Sequence, residues 1–244
     1  MNKLLSLIRL GCVLALCQSC RTAYTPNALN VPLLQEQGEI KLMVSPNNYQ
    51  AAYAVTDNIA IIANGRVATS TTSTSVNGTA SDSFNAKNSV FEAGVGYFGH
   101  TGRGFTYEVY GGGGVTQVGF HGTGPSLGKN YDVSGMKFFV QPNIGFTSRG
   151  FDIAFSTRLS GLQFGTATGN YSLAEQKAND LDKLGAATHL FLEPAITLRG
   201  GYKYVKLQMQ FGGSFKLTQA VIPYNGLIGN VGLVFDFAQW YNND

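Results

Sequence analysis

From Gly38 almost to the C-terminus, apolar and polar residues alternate with a period of two, and this limits what the chain can fold into more than any other feature. Successive side chains of a strand point to opposite faces, so such a run is a sheet with one greasy and one polar side. In the segment beginning at 151, Phe151, Ile153, Phe155, Thr157 and Leu159 share one face, and Asp152, Ala154, Ser156, Arg158 and Ser160 share the other. At 187, Leu190, Leu192, Pro194, Ile196 and Leu198 oppose His189, Glu193, Thr197 and Arg199. At 136, Phe138, Val140, Ile144 and Phe146 oppose Lys137, Gln141, Asn143 and Thr147. At 202, Val205, Leu207, Met209 and Phe211 oppose Lys206, Gln208 and Gln210.

The pattern predicts about ten strands, at 37–45, 48–56, 58–69, 88–99, 104–119, 136–148, 151–165, 187–199, 202–216 and 226–238. The first two are weakest, and without them the count is eight. A solvated sheet would alternate as well, but its polar face would be dense in Lys and Glu. Here that face is rich in amides and small residues, and only 13% of the chain is charged. Connections also alternate in length. Those near 56–58, 100–103, 148–150 and 200–201 are tight, and those at 70–87, 120–135, 166–186 and 217–225 are long. Short turns at one end and long loops at the other mark a barrel that crosses a membrane with strands. Aromatics gather near the tight turns (Tyr97, Phe98, Phe105, Tyr107, Phe146, Phe151, Tyr202, Tyr204, Trp240 and Tyr241), as an interfacial girdle would. A helical membrane protein needs about 20 consecutive apolar residues per span, and no such run follows residue 20.

The N-terminus is read separately. Lys3 and Arg9 with the apolar run through Leu16 form a secretory signal over 1–19. Leu16-Cys17-Gln18-Ser19-Cys20 resembles a bacterial lipobox, which implies lipidation of Cys20 after cleavage. The match rests on Ser19 and Cys20. It departs from the family in carrying Cys17 where a Leu is usual, and ordinary cleavage near Ala23 is the alternative. Residues 20–36, with Pro26 and Pro32 and no periodicity, read as a lipid-anchored tether on the short-turn side. The barrel domain is 37–238 and a tail covers 239–244. No cysteine follows Cys20, so the body has no disulfide.

With its alternating strands and a last strand Val231-Gly232-Leu233-Val234-Phe235-Asp236-Phe237, the region from Gly38 to Phe237 resembles the small outer-membrane β-barrel proteins of Gram-negative bacteria. Tyr49 to Ile59, turning at Asp57-Asn58, looks like a first full hairpin of that class. The resemblance implies an all-β, antiparallel, up-and-down transmembrane barrel in the cell outer membrane. It also implies contact with outer-membrane lipid and insertion by the barrel assembly machinery, whose aromatic-ended signal is followed here by seven further residues, Ala238 to Asp244.

The inward face carries Arg66, Lys137, Arg158, Arg199 and Lys206 against Glu92, Glu108, Asp152, Glu193 and Asp236, with His189 among them. Equal signs in a narrow lumen predict a paired, neutral network filling the barrel, rather than an ion-selective pore. His189 with Glu193, and His121 with Thr123, are the only His-centred sets resembling the acyl hydrolases of this class. A lumen hydrogen bond is the simpler role for His189. Gly94-Val95-Gly96-Tyr97-Phe98-Gly99 has dinucleotide-fingerprint spacing but lies within a strand with no helix after it. No catalytic set, cofactor or metal site is expected, and a net charge of +3 without a basic run gives no reason to expect nucleic acid. The Ser/Thr-rich stretch 69–83 reads as an exposed loop, and the capping box Ser172-Leu173-Ala174-Glu175 predicts a loop helix over 173–184. The function expected is structural, or interaction with an envelope partner through the long loops. A lipid-modifying hydrolase and a narrow solute channel are the alternatives.

This reading predicts that the protein stays in the membrane pellet through an alkaline wash, needs detergent for release, and migrates differently on a gel before and after heating. Release without detergent, with no mobility shift, would rule out the barrel.

Overall fold

In the computed structural model, the described residues are 22–75, 81–101, 104–123 and 128–242. The signal segment, Cys20 and the tip of the Ser/Thr loop at 76–80 lie outside them. The strands are β1 (Ile40–Val44), β2 (Asn48–Ala54), β3 (Ile59–Ser75), β4 (Ser81–Thr101), β5 (Phe105–Thr123), β6 (Asn130–Thr147), β7 (Phe151–Phe164), β8 (Thr168–Gly169), β9 (His189–Tyr202), β10 (Val205–Gly213), β11 (Phe215–Lys216) and β12 (Leu227–Phe237). Two of these, β8 and β11, are two-residue additions to β6 and β9. The other ten run up and down, each antiparallel to its neighbours, and pairing of β1 with β12 closes the wall into a barrel. Over the height that all ten strands share, closure joins the first strand to the last and so removes the sheet's two edges.

Every wall strand obeys the alternation. Along β7 the pattern is exposed then buried over almost its whole length, with Phe151, Ile153, Phe155 and Leu159 outside and Asp152, Ser156, Arg158 and Ser160 inside. The outward apolar belt is continuous around the barrel. On β6 it runs from Phe146 to Met136, which at about 3.4 Å per residue and a tilt near 40° spans roughly 25 Å, the height of a bilayer's apolar band. Above it the outward positions turn polar at Ser89, Gln117, Ser134 and Gln163. Tyr53, Tyr97, Phe105, Tyr107, Phe146, Phe151, Tyr202 and Tyr204 ring the short-turn end and face outward. Phe98, expected in that girdle, points inward. So does Tyr241, whose hydroxyl donates to Asp236 Oδ2 at 2.6 Å while its ring meets Trp240 at the short-turn end.

Two expectations change. The connections at 70–87 and 120–135 are largely strand: β3 pairs with β4 up to Ser75 and Ser81, and β5 with β6 up to His121 and Asn130. These extensions stand above the belt. On β3 and β4 the ladder continues through Ser and Thr without the apolar alternation that reveals a strand in sequence, whereas on β5 and β6 the apolar side chains change face: Val118, Phe120, Tyr131 and Val133 are buried and Gln117 and Ser134 are exposed. The loop helix α1 covers only Leu173–Ala178. It stops at Asn179, and Asp180 takes a left-handed backbone, φ 56°. Its capping box is present, with Glu175 N donating to Ser172 Oγ at 3.3 Å and Ser172 N donating to Glu175 Oε2 at 2.7 Å. Lys129 and Ser172 together hold the Glu175 carboxyl at about 2, below the usual range.

The largest correction concerns residues 22–36. They are not a tether outside the sheet. Ala23 to Leu34 are almost entirely buried inside the barrel, crossing the lumen from end to end. At the long-loop end Ala23 N and Tyr24 N donate to Pro223 O, and Asn225 N donates to Tyr24 O. At the short-turn end Gln37 N donates to Asp57 Oδ1, and Trp240 N donates to Glu36. There the chain reverses into β1 through Gly38, whose φ of 82° favours glycine.

Room inside comes from small residues. Gly94 and Gly112 are paired neighbours, and the Phe139 ring on the next strand lies over both. A Cβ at Gly112 would come within 2.7 Å of Phe139 Cζ and 2.2 Å of Ala93 O. We expect Gly112→Leu to displace Phe139 and cost about 1–3 kcal/mol, read as a lower temperature for the heat-induced mobility shift. Ala93→Leu, on the outward face of the same wall, should leave that temperature nearly unchanged.

Candidate functional site

The filled lumen is where the polar chemistry concentrates. A chain segment buried without its own secondary structure leaves its peptide N–H and C=O groups without partners, and each unsatisfied group costs about 1–3 kcal/mol. The inward side chains of the wall supply those partners one by one. Gln210 grips the Leu29 peptide with both amide atoms, accepting from its N at 2.7 Å and donating to its O at 3.0 Å. Asn48 accepts from Ala28 N at 3.3 Å, and Gln50 donates to Ala28 O at 3.0 Å. Gln141 donates to Asn30 O at 2.6 Å, Arg199 to Val31 O, and Lys41 to Leu33 O at 3.0 Å. Glu108 accepts from Leu34 N at 3.0 Å. The amide-rich lumen face is thus a socket for this one segment.

Apolar contacts are laid out the same way. Leu29, Val31 and Leu33 pack against Ala154, Ala195 and Ile228. Leu34 lies among Ala52, Ala54, Ala60, Ile62, Phe98, Tyr110 and Phe139. Tyr24 meets Phe191 with ring centroids 4.6 Å apart. Alanine at these wall positions leaves the space the segment occupies. Burying each large apolar side chain contributes on the order of 2 kcal/mol.

The charges fall into two groups. In the first, Arg158 is 0% exposed and reaches Glu193 at 2.7 Å and Glu92 at 3.2 Å, while Lys137 meets Glu92 at 2.8 Å. Asn27 of the plug sits between them, donating to Glu92 at 2.7 Å and accepting from Lys137 and Arg158, each at 3.1 Å. The Tyr24 hydroxyl donates to Glu193 Oε1 at 2.6 Å. In the second, Asp152 takes Lys206 at 2.7 Å and Arg199 at 3.5 Å, and Lys41 bridges Glu39 at 2.9 Å and Asp236 at 3.2 Å. All the inward charges read from the sequence are buried, and most join these groups. Three stand apart. Arg66 donates to Asn88 Oδ1 at 3.3 Å, Glu108 binds Asn143 and the plug, and His189 Nε2 lies 3.0 Å from Leu184 O.

Sequence reasoning missed Tyr24, Asn27, Glu39 and Lys41. A signal existed for the segment. Leu29, Val31 and Leu33 alternate with Asn30 and Pro32, unlike a solvated linker. The paired His189–Glu193 set does not form, because Glu193 is held by Arg158, Tyr24 and Ser214 and His189 by the Leu184 carbonyl. His121 lies on β5 and pairs with Asp132 of β6 at 3.0 Å, both about half exposed. Among the described residues, no three His, Asp or Glu side chains converge as a metal site would need.

Arg158 makes the most demanding test of the lumen. Arg158→Met strands Glu92 and Glu193 with less positive charge and removes a bond to the plug, so it should cost about 3–5 kcal/mol, measured by urea unfolding in detergent micelles. Arg66→Met, outside the ion-pair groups, should cost clearly less. Comparison with protein-family models and with curated proteins gives no match, so the functional reading rests on the geometry of this lumen.

Proposed function

We propose that this chain is an outer-membrane β-barrel lipoprotein whose lumen is sealed by its own N-terminal segment, and that it serves a structural or interacting role through its long-loop end rather than as a conduit. The observation that carries this reading is the occupied lumen: residues 23–34 fill it and are bonded to the wall along their length. The continuous outward belt and the ring of aromatics at one end support a bilayer as its surroundings. The signal-like N-terminus and the aromatic-ended β12 support export and insertion by the barrel assembly machinery.

The paired hairpins β3–β4 and β5–β6 rise above the belt at the long-loop end. That end is the face offered to an envelope partner, and no reaction is assigned to the protein. A narrow channel is disfavoured by the plug, and among the described residues His189 and Glu193 are each held by other partners, which weighs against a hydrolase at that pair.

Planar-bilayer recording tests the sealed lumen. The full protein should give no single-channel steps, and a chain lacking residues 24–34 should give discrete ones if it still closes, as shown by its heat-modifiable mobility. If the shortened chain does not close, Gln210→Ala with Arg158→Ala, which loosens the plug in place, provides the second variant. Steady conductance from the unaltered protein would sink the proposal.

A further inference from the structure

The path of the plug fixes where the chain preceding it must lie. Residues 22–38 run through the lumen opposite to the direction a periplasmic tether would take: Tyr24 forms a bridge with Tyr224 of the long 214–226 connection, and Glu36 meets the C-terminal turn at the other end. Thr22 stands at the long-loop mouth, and the two residues of chain back to Cys20 can span at most about 7 Å.

The rim of the barrel is uneven at that mouth. It is high on the side of β3 to β6, each of 17 residues or more, and low beside β10, β12, β1 and β2, with 9, 11, 5 and 7. The start of the plug, Ala23 and Tyr24, is clamped by Pro223 and Tyr224 of the connection that leads into β12, on the low side. The same connection holds three large apolar side chains out to the surroundings: Phe215 at 57% exposure, Leu217 at 53% and Val221 at 47%. Exposed apolar side chains beside the top of a lipid-facing belt belong in a bilayer's interfacial region.

We infer that the mature N-terminus crosses this low rim and that its acyl anchor enters the membrane leaflet on the long-loop side, with Phe215, Leu217 and Val221 as the protein surface beneath it. This inference rests on the proposed lipoprotein reading and turns its expected topology around: the anchor and the short turns lie on opposite sides of the membrane. The partner is a lipid surface, that of the outer leaflet when the long loops face outward.

The test places one epitope tag in each of three chains: between Arg21 and Thr22, at Ala220 in the long connection, and at Gly150 in a short turn. Antibody binding is compared on intact and permeabilised cells. The inference expects the N-terminal tag to follow the Ala220 tag, with signal on intact cells several-fold above that of the Gly150 tag. An N-terminal tag that follows the Gly150 tag overturns it. If the Ala220 tag itself is hidden and the Gly150 tag exposed, the proposed orientation fails, while the side of exit is still judged by which tag the N-terminus follows. Should the N-terminally tagged chain fail to close, Thr22→Cys is labelled with a membrane-impermeant thiol reagent, against Ala220→Cys and Gly150→Cys and with the unsubstituted chain as background. The same two outcomes decide it.

Discussion

The need to satisfy the peptide groups of an extended segment buried in a narrow lumen is the constraint from which the rest of this structure follows. A strand in a sheet has another strand to bond to. Past the backbone bonds at Ala23 and Tyr24, the segment meets the side chains of the wall, so Gln210, Gln50, Gln141, Asn48, Arg199, Lys41 and Glu108 must each stand at a fixed height on the inner face. Alternation places them inward, and alanines and glycines between them leave the segment its path. The ion pairs obey the same requirement. A buried charge costs several kcal/mol unless paired and hydrogen-bonded, and Arg158 meets this by bonding two carboxylates and the plug together.

The wall was legible because its physics is local. β7 is found to within one residue and β9 to within three, since each inward or outward choice shows in the identity of the side chain. The capping box at Ser172 was legible for the same reason, being complete within four residues. The tops of β3 and β4 were not, because Ser and Thr there carry no apolar period, and those of β5 and β6 were not, because their apolar residues Val118, Phe120, Tyr131 and Val133 lie on the inward face, opposite to the belt's. The plug was least legible. Its partners lie as far as 181 residues away in sequence, and the short alternation at 29–33 does not name them. Even so, inward alanines at 52, 54, 60, 154 and 195 mark a lumen that its own wall leaves unfilled.

The candidate lumen network shows a similar division. Its members could be chosen from inward polarity alone, but not their pairing. Glu193 was set beside His189 by proximity along one strand, whereas the fold gives it to Arg158 from the neighbouring strand and to Tyr24 from the plug. Pairing in a barrel runs across strands, so a site proposed along one strand competes with closer neighbours on either side.

One local feature carries a further consequence. Between Val140↔Leu159 and Asn143↔Ser156 the ladder joining β6 to β7 is interrupted, at Pro142, which has no N–H to give. Arg158, the hub of the ion pairs, stands inside the wall at this gap, opposite Gln141. This interrupted seam is therefore riveted from within by side chains, Asn27 joining Lys137 of β6 to Arg158 of β7, and mechanical continuity around the circumference there depends on the contents of the barrel as much as on its staves.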